Sequence, residues 1–180
     1  MGTDADDRLY FRQMLSGRDF AVGDPFATQM VNFAYAIGDR STGECLLIDP
    51  AWDVEGLISN VGDDGMTVTG VLATHYHADH VGGSIMGHDI EGVAVPTPGH
   101  TPGSQCFLVD GRLVAGDTLF LDGCGRTDLP GSDPTAMAES LRTLHRVDDE
   151  VVLYPGHRYS VASCATMGSV KQSNFVFDGL

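Results

Sequence analysis

Apolar and polar positions sort most of the chain into short strands separated by a few helices. Asn32 to Gly38 (N-F-A-Y-A-I-G) and Glu44 to Asp49 (E-C-L-L-I-D) read as two strands. The turn residues Asp39 to Gly43 between them predict a hairpin. Val54 to Val61 reads as a short helix, with Val54, Leu57, Ile58 and Val61 at i, i+3, i+4 and i+7. Thr67 to Ala73 is β-branched and apolar, which predicts a buried strand. The second half repeats the theme. Gln105 to Val109 and Arg112 to Ala115 flank Asp110-Gly111, a strong hairpin signal. Ser132-Asp133-Pro134 caps and opens a helix with Met137, Leu141 and Leu144 on one face. Glu150 to Tyr154 is a last short strand. Strands and helices alternate, so the expected class is α/β, a sheet core covered by helices.

The length, 180 residues, predicts one domain over 1–180. With 42% hydrophobic and 19% charged residues, the composition is that of an ordered globular protein. A net charge of −15 argues against nucleic acid and against an anionic membrane surface as partners. Asp supplies 20 of the 25 acidic residues and Lys171 is the only lysine. Salt-adapted proteins and ordinary acidic cytosolic proteins both show this pattern. Self-repulsion among such charges is relieved by screening, with a Debye length of about 10 Å at 0.1 M salt. The melting temperature should therefore rise between dilute buffer and molar KCl; a flat or falling value rejects the salt-adapted reading. Met1 to Asp7 is acidic and lacks the apolar segment of a secretory signal. No apolar run approaches the roughly 18 residues that span a bilayer. Cys45, Cys106, Cys124 and Cys164 form no C-x-x-C pair and read as free thiols, which points to the reducing cytoplasm.

The strongest chemical signal is Thr74-His75-Tyr76-His77-Ala78-Asp79-His80, directly after a predicted strand. At this composition the pattern H-x-H-x-D-H arises by chance in about one such chain per thousand. Imidazole and carboxylate suit zinc, iron or manganese. Three further segments are weak singly and strong in this order. Pro98-Gly99-His100-Thr101-Pro102-Gly103 fixes a histidine between two turns, Gly116-Asp117-Thr118 puts a carboxylate after a strand, and Pro155-Gly156-His157 repeats the strand, turn, histidine arrangement. His88 and His145 are left over, His145 on the surface of a predicted helix.

In these segments the chain resembles the metallo-β-lactamase superfamily, from the Asn32 strand to His157. The resemblance implies an αββα sandwich, with His75, His77 and His100 at one metal site. It implies Asp79, His80 and His157 at the other, with Asp117 bridging the two. Tyr10 to Met14, Gly116 to Phe120 and Gly123-Cys124-Gly125-Arg126-Thr127-Asp128 are similar to the glyoxalase II and persulfide dioxygenase branch. Two departures stand out. Only 23 residues follow His157, too few for the helical domain that helps glyoxalase II bind glutathione. The link from Gly83 to Thr97 is also short, reaching at most about 45 Å. The sandwich is thus shortened between the first metal motif and His100, where the family carries further elements. A strained or irregular stretch at Ser84 to Pro96, a homo-oligomer in which a partner subunit completes the fold, or a missing segment would each account for it.

The resemblance implies a hydrolase of thioesters or related acyl compounds, holding two divalent ions, zinc foremost, and attacking with a metal-bridged hydroxide. Asp79 would take the proton of that water. Arg126 would hold a substrate carboxylate or make a structural salt bridge, and Tyr159 would donate its hydroxyl to substrate or pack. Cys124 reads as a packed small residue. The substrate class is a small molecule, a thiol conjugate among the candidates. The alternative is a persulfide dioxygenase with one iron on His75, His100 and Asp117. A third reading is a degenerate scaffold without metal.

Overall fold

A computed structural model describes residues 8–81 and 93–179. Met1 to Asp7, His88 and the stretch from Ser84 to Gly92 lie outside the described residues. The chain divides into two compact units, one ending at Ala73 and resuming at His77, the other formed by Thr74–Tyr76 and the residues after position 90.

Among its described residues the first unit holds a four-stranded sheet in the order β1 (Leu9–Leu15), β2 (Phe33–Asp39), β3 (Glu44–Ile48), β4 (Thr67–Leu72). The first two pairings are antiparallel and the third is parallel. Helix α1 (Pro25–Met30) precedes β2, and α2 (Val54–Asp63) makes the crossover to β4. Asp53 caps α2 by accepting a 2.8 Å hydrogen bond from the Gly56 N–H. Leu57 and Val61 are buried in a core with Tyr10, Met14, Ala36, Cys45 and Leu47. Ile58, placed on the same apolar face by its spacing, is 42% exposed and marks the rim of that face. Strand β4 corrects an expectation: only Gly70 is buried. Among the described residues it ends the strand order, without the second neighbour that a buried strand needs. Strand β1 escaped the sequence reading because Arg12 and Gln13 interrupt its apolar alternation. Arg12 reaches Asp64 at 2.7 Å, and Tyr10 donates to the same carboxylate at 2.6 Å. Burial and that bond push the Tyr10 hydroxyl up to about 12.

The second unit repeats the pattern with one more strand. Its order is β5 (Val93–Pro96), β6 (Gln105–Val109), β7 (Arg112–Gly116), β8 (Val152–Pro155), β9 (Ala165–Thr166). The β6–β7 hairpin turns on Asp110 and Gly111, whose φ values of 44° and 71° both fall in the left-handed region that this tight turn requires. Helix α4 (Pro134–Leu144) follows α3 (Ala78–Val81) in chain order and carries the chain from β7 to the parallel strand β8. Asp133 caps α4 through the Thr135 and Ala136 N–H groups at 2.8 and 3.1 Å. Met137, Leu141 and Leu144 enter the core of this unit. His145 stays partly exposed at the end of α4, with its ring 5.5 Å from that of Phe177. Helix α5 (Met167–Ser173) and a single turn at Phe175–Phe177 complete the unit.

Corresponding strands in the two units end in corresponding residues. Asp49 follows β3 as Asp117 follows β7. The histidine motif follows β4 as Gly156-His157 follows β8. Polar groups thus gather at the carboxyl ends of parallel strands, where the following loops are free to carry chemistry. Among the described residues no helix is long and apolar enough to cross a membrane.

Candidate metal centre

In the second unit, His75, His100, Asp117 and His157 are drawn together from four separate segments. The rings of His75 and His100 meet edge-on with centroids 5.0 Å apart. Oδ2 of Asp117 lies 3.7 Å from His100 Nε2 and 3.2 Å from His157 Nε2. His75, His100 and His157 are each no more than 4% exposed. The outer nitrogen of His100 is tied down: Nδ1 donates to the Arg126 carbonyl at 2.9 Å, which turns Nε2 toward Asp117. His75 Nδ1 hydrogen-bonds the Thr74 hydroxyl at 3.0 Å, which fixes the direction of its ring. Buried imidazoles aimed at a carboxylate are the donor set of a hard or borderline cation, and this arrangement fits one.

Glycine makes the approach possible. A Cβ on Gly156 would lie 2.3 Å from Asp117 Oδ1. Gly156→Ala should therefore push the carboxylate aside and lower kcat by about 100-fold, the cost of an ångström-scale misplacement. Steady-state kinetics beside circular dichroism checks this; an active Gly156→Ala enzyme would show that the contact is not needed.

In the first unit, Asp79 and His80 sit on α3, a single turn, with His77 half-buried just before it. The His77 carbonyl opens that turn by accepting from the His80 and Val81 N–H groups at 2.9 and 3.0 Å. His80 is fully buried, and its Nδ1 donates to Asp49 Oδ2 at 2.9 Å. Its Nε2 lies 3.5 Å from Asp79 Oδ2. Asp49, the partner of His80, is a candidate residue that sequence reasoning missed. The available signal was its place after β3, equivalent to that of Asp117 after β7. A carboxylate behind a histidine fixes the tautomer and raises the basicity of the other ring nitrogen.

The substrate candidates are placed differently. The Arg126 guanidinium is exposed and grips Asp128 through two bonds of 2.8 and 2.9 Å, holding that carboxyl below its ordinary range. Tyr159 is 61% exposed, and its ring stacks on His157 at 4.9 Å and 3°. Burial pushes the Cys124 thiol up, away from the thiolate a nucleophile needs.

A sequence profile of the metallo-β-lactamase superfamily matches residues 27–86 and 84–157. The chain belongs to the metallo-β-lactamase superfamily. Its α/β fold class is that of the superfamily. The two matched segments meet at 84–86, inside the stretch that the resemblance marks as short. The hydroxyacylglutathione hydrolase of Shewanella loihica is 30% identical, over 79% of this chain and 68% of its own length. The probable polyketide biosynthesis zinc-dependent hydrolase BaeB of Bacillus velezensis is 27% identical over 81% of each chain. The crystal structure of ETHE1 from Myxococcus xanthus matches 94% of this chain and 85% of its own, with TM-score 0.78 and 28% identity. As a member of this superfamily with hydroxyacylglutathione hydrolases among its relatives, the chain is a metal-dependent hydrolase of the glyoxalase II-like type.

Proposed function

We propose that the chain is one catalytic domain that hydrolyses a small thioester, a thiol conjugate, with two divalent ions of the zinc class. The ligands in this reading are His75, His77, Asp79, His80, His100, Asp117 and His157. The observation that carries it is Asp117 Oδ2, which stands 3.7 Å from His100 and 3.2 Å from His157. With His100 assigned to one ion and His157 to the other, Asp117 would be within reach of both ligand groups. The hydroxyacylglutathione hydrolases among the relatives support a thioester substrate. Bound ions would supply Lewis acidity and bring the pKa of a water toward neutrality.

The remaining work belongs to the chain. Asp79, about one-fifth exposed, takes the proton of the attacking water. Its attachment to a short helix beside a buried histidine fixes where that proton is received. The exposed Arg126–Asp128 pair is screened by water and cheap to exchange, so Arg126 can turn to a substrate carboxylate. Tyr159 keeps its ring on His157 and offers its hydroxyl to the substrate. The four cysteines are free thiols, in keeping with a cytoplasmic setting.

A second reading rests on His75, His100 and Asp117 lying together within one unit, and on the likeness to ETHE1. Two histidines and one carboxylate would hold a single iron for oxidation of a persulfide. Assays on an acyl-glutathione thioester and on glutathione persulfide separate the two. The proposal expects thioester cleavage without oxygen uptake. Oxygen uptake on the persulfide, with the thioester untouched, would replace it by the second reading.

A further inference from the structure

Asn32 and Trp52 take no part in the ligand set, yet both converge on it within the first unit. Asn32 is 2% exposed. Its Nδ2 donates to Asp79 Oδ2 at 3.1 Å and lies 3.4 Å from His80 Nε2. Its Oδ1 accepts from the Trp52 indole N–H at 3.0 Å. These partners settle which way the amide points. An indole nitrogen only donates and a carboxylate only accepts, so the oxygen must face Trp52 and the amino group must face Asp79. Were the amide to flip, its oxygen would oppose the carboxylate.

The backbone is bent to deliver that indole. Trp52 has φ of 65°, in the left-handed region that side-chain-bearing residues seldom occupy. It is the centre of a three-residue turn closed by the Asp53 N–H on the Ala51 carbonyl at 2.8 Å. Asp49, which holds His80, has φ of 52° three residues earlier. A loop with two strained residues, each bonded toward α3, is over-determined by its contacts. Apolar burial is not the reason, since Trp52 is 37% exposed.

We infer that Trp52 and Asn32 are positioning residues: the indole N–H locks the Asn32 amide, and the locked amide holds the Asp79 carboxylate in the rotamer used for metal and proton. The inference rests on the metal-centre reading above. Trp52 is the only tryptophan of the chain, so intrinsic indole emission reports on the surroundings of this side chain.

The test is a titration of metal-free protein with zinc, followed by equilibrium dialysis and by Trp52 emission. Wild-type protein should bind zinc with a saturable change in emission. Trp52→Phe keeps an aromatic ring but lacks the donor, and it should bind the more weakly held ion about tenfold less tightly. Asn32→Ala should bind zinc at least as weakly as Trp52→Phe and lose most of the emission change. Zinc affinity in Trp52→Phe equal to wild type overturns the inference and leaves the metal centre standing. Wild-type protein that binds no zinc instead overturns the metal-centre reading itself.

Discussion

Asp117→Ala is expected to lower kcat by about three to four orders of magnitude, the several kcal/mol that a correctly held metal contributes to a hydrolytic transition state. The carboxylate oxygen near both His100 and His157 would be gone, and Gly156, packed against the other carboxylate oxygen, has no side chain to replace it. The fold should survive, because the residue lies in a loop after β7 and not in the apolar core. Metal content should fall together with rate. An Asp117→Ala enzyme with full metal content and less than about a tenfold loss would remove the bridging role.

The second large effect separates stability from chemistry. His80 is fully buried and its partner Asp49 is 3% exposed. Removing one member of such a pair leaves a carboxylate in a desolvated place that has lost a hydrogen-bond donor. His80→Ala should cost about 3 kcal/mol of unfolding free energy, or about 10 °C in Tm for a chain of this size. His77→Ala, at a half-buried position, should cost under about 1 kcal/mol. Both variants should lose activity and metal, since each removes a ligand in the dinuclear reading. Thermal melts and metal analysis of the pair check this. Equal retention of one iron in both variants would favour the mononuclear alternative, where neither histidine is a ligand.

The segments proposed to hold metal were legible because their signals are local. His75, His77, Asp79 and His80 fall within one heptapeptide, and the Pro-Gly pairs before His100 and His157 announce tight turns by composition alone. The α4 cap and the Asp110-Gly111 turn were readable for the same reason. What escaped was set by distance along the chain. Asp49 is 31 residues from His80, and Asn32 is 47 residues from Asp79. No window of a strand or helix period contains either pair. Strand β4 shows the converse limit: its apolar, β-branched pattern is that of a buried strand, but its place at the end of the sheet order decides its exposure. Arg126 carries a side chain suited to a substrate carboxylate, yet the carboxylate it meets is that of Asp128, two residues away.

The central claim is that the ligand set serves two ions and a hydrolytic reaction. Metal content per chain, measured on protein purified without added metal, tests it most directly. The account predicts two divalent ions of the zinc class per chain, lost together with thioester hydrolysis on chelation and restored together with it. One iron per chain, unchanged by added zinc, would contradict it.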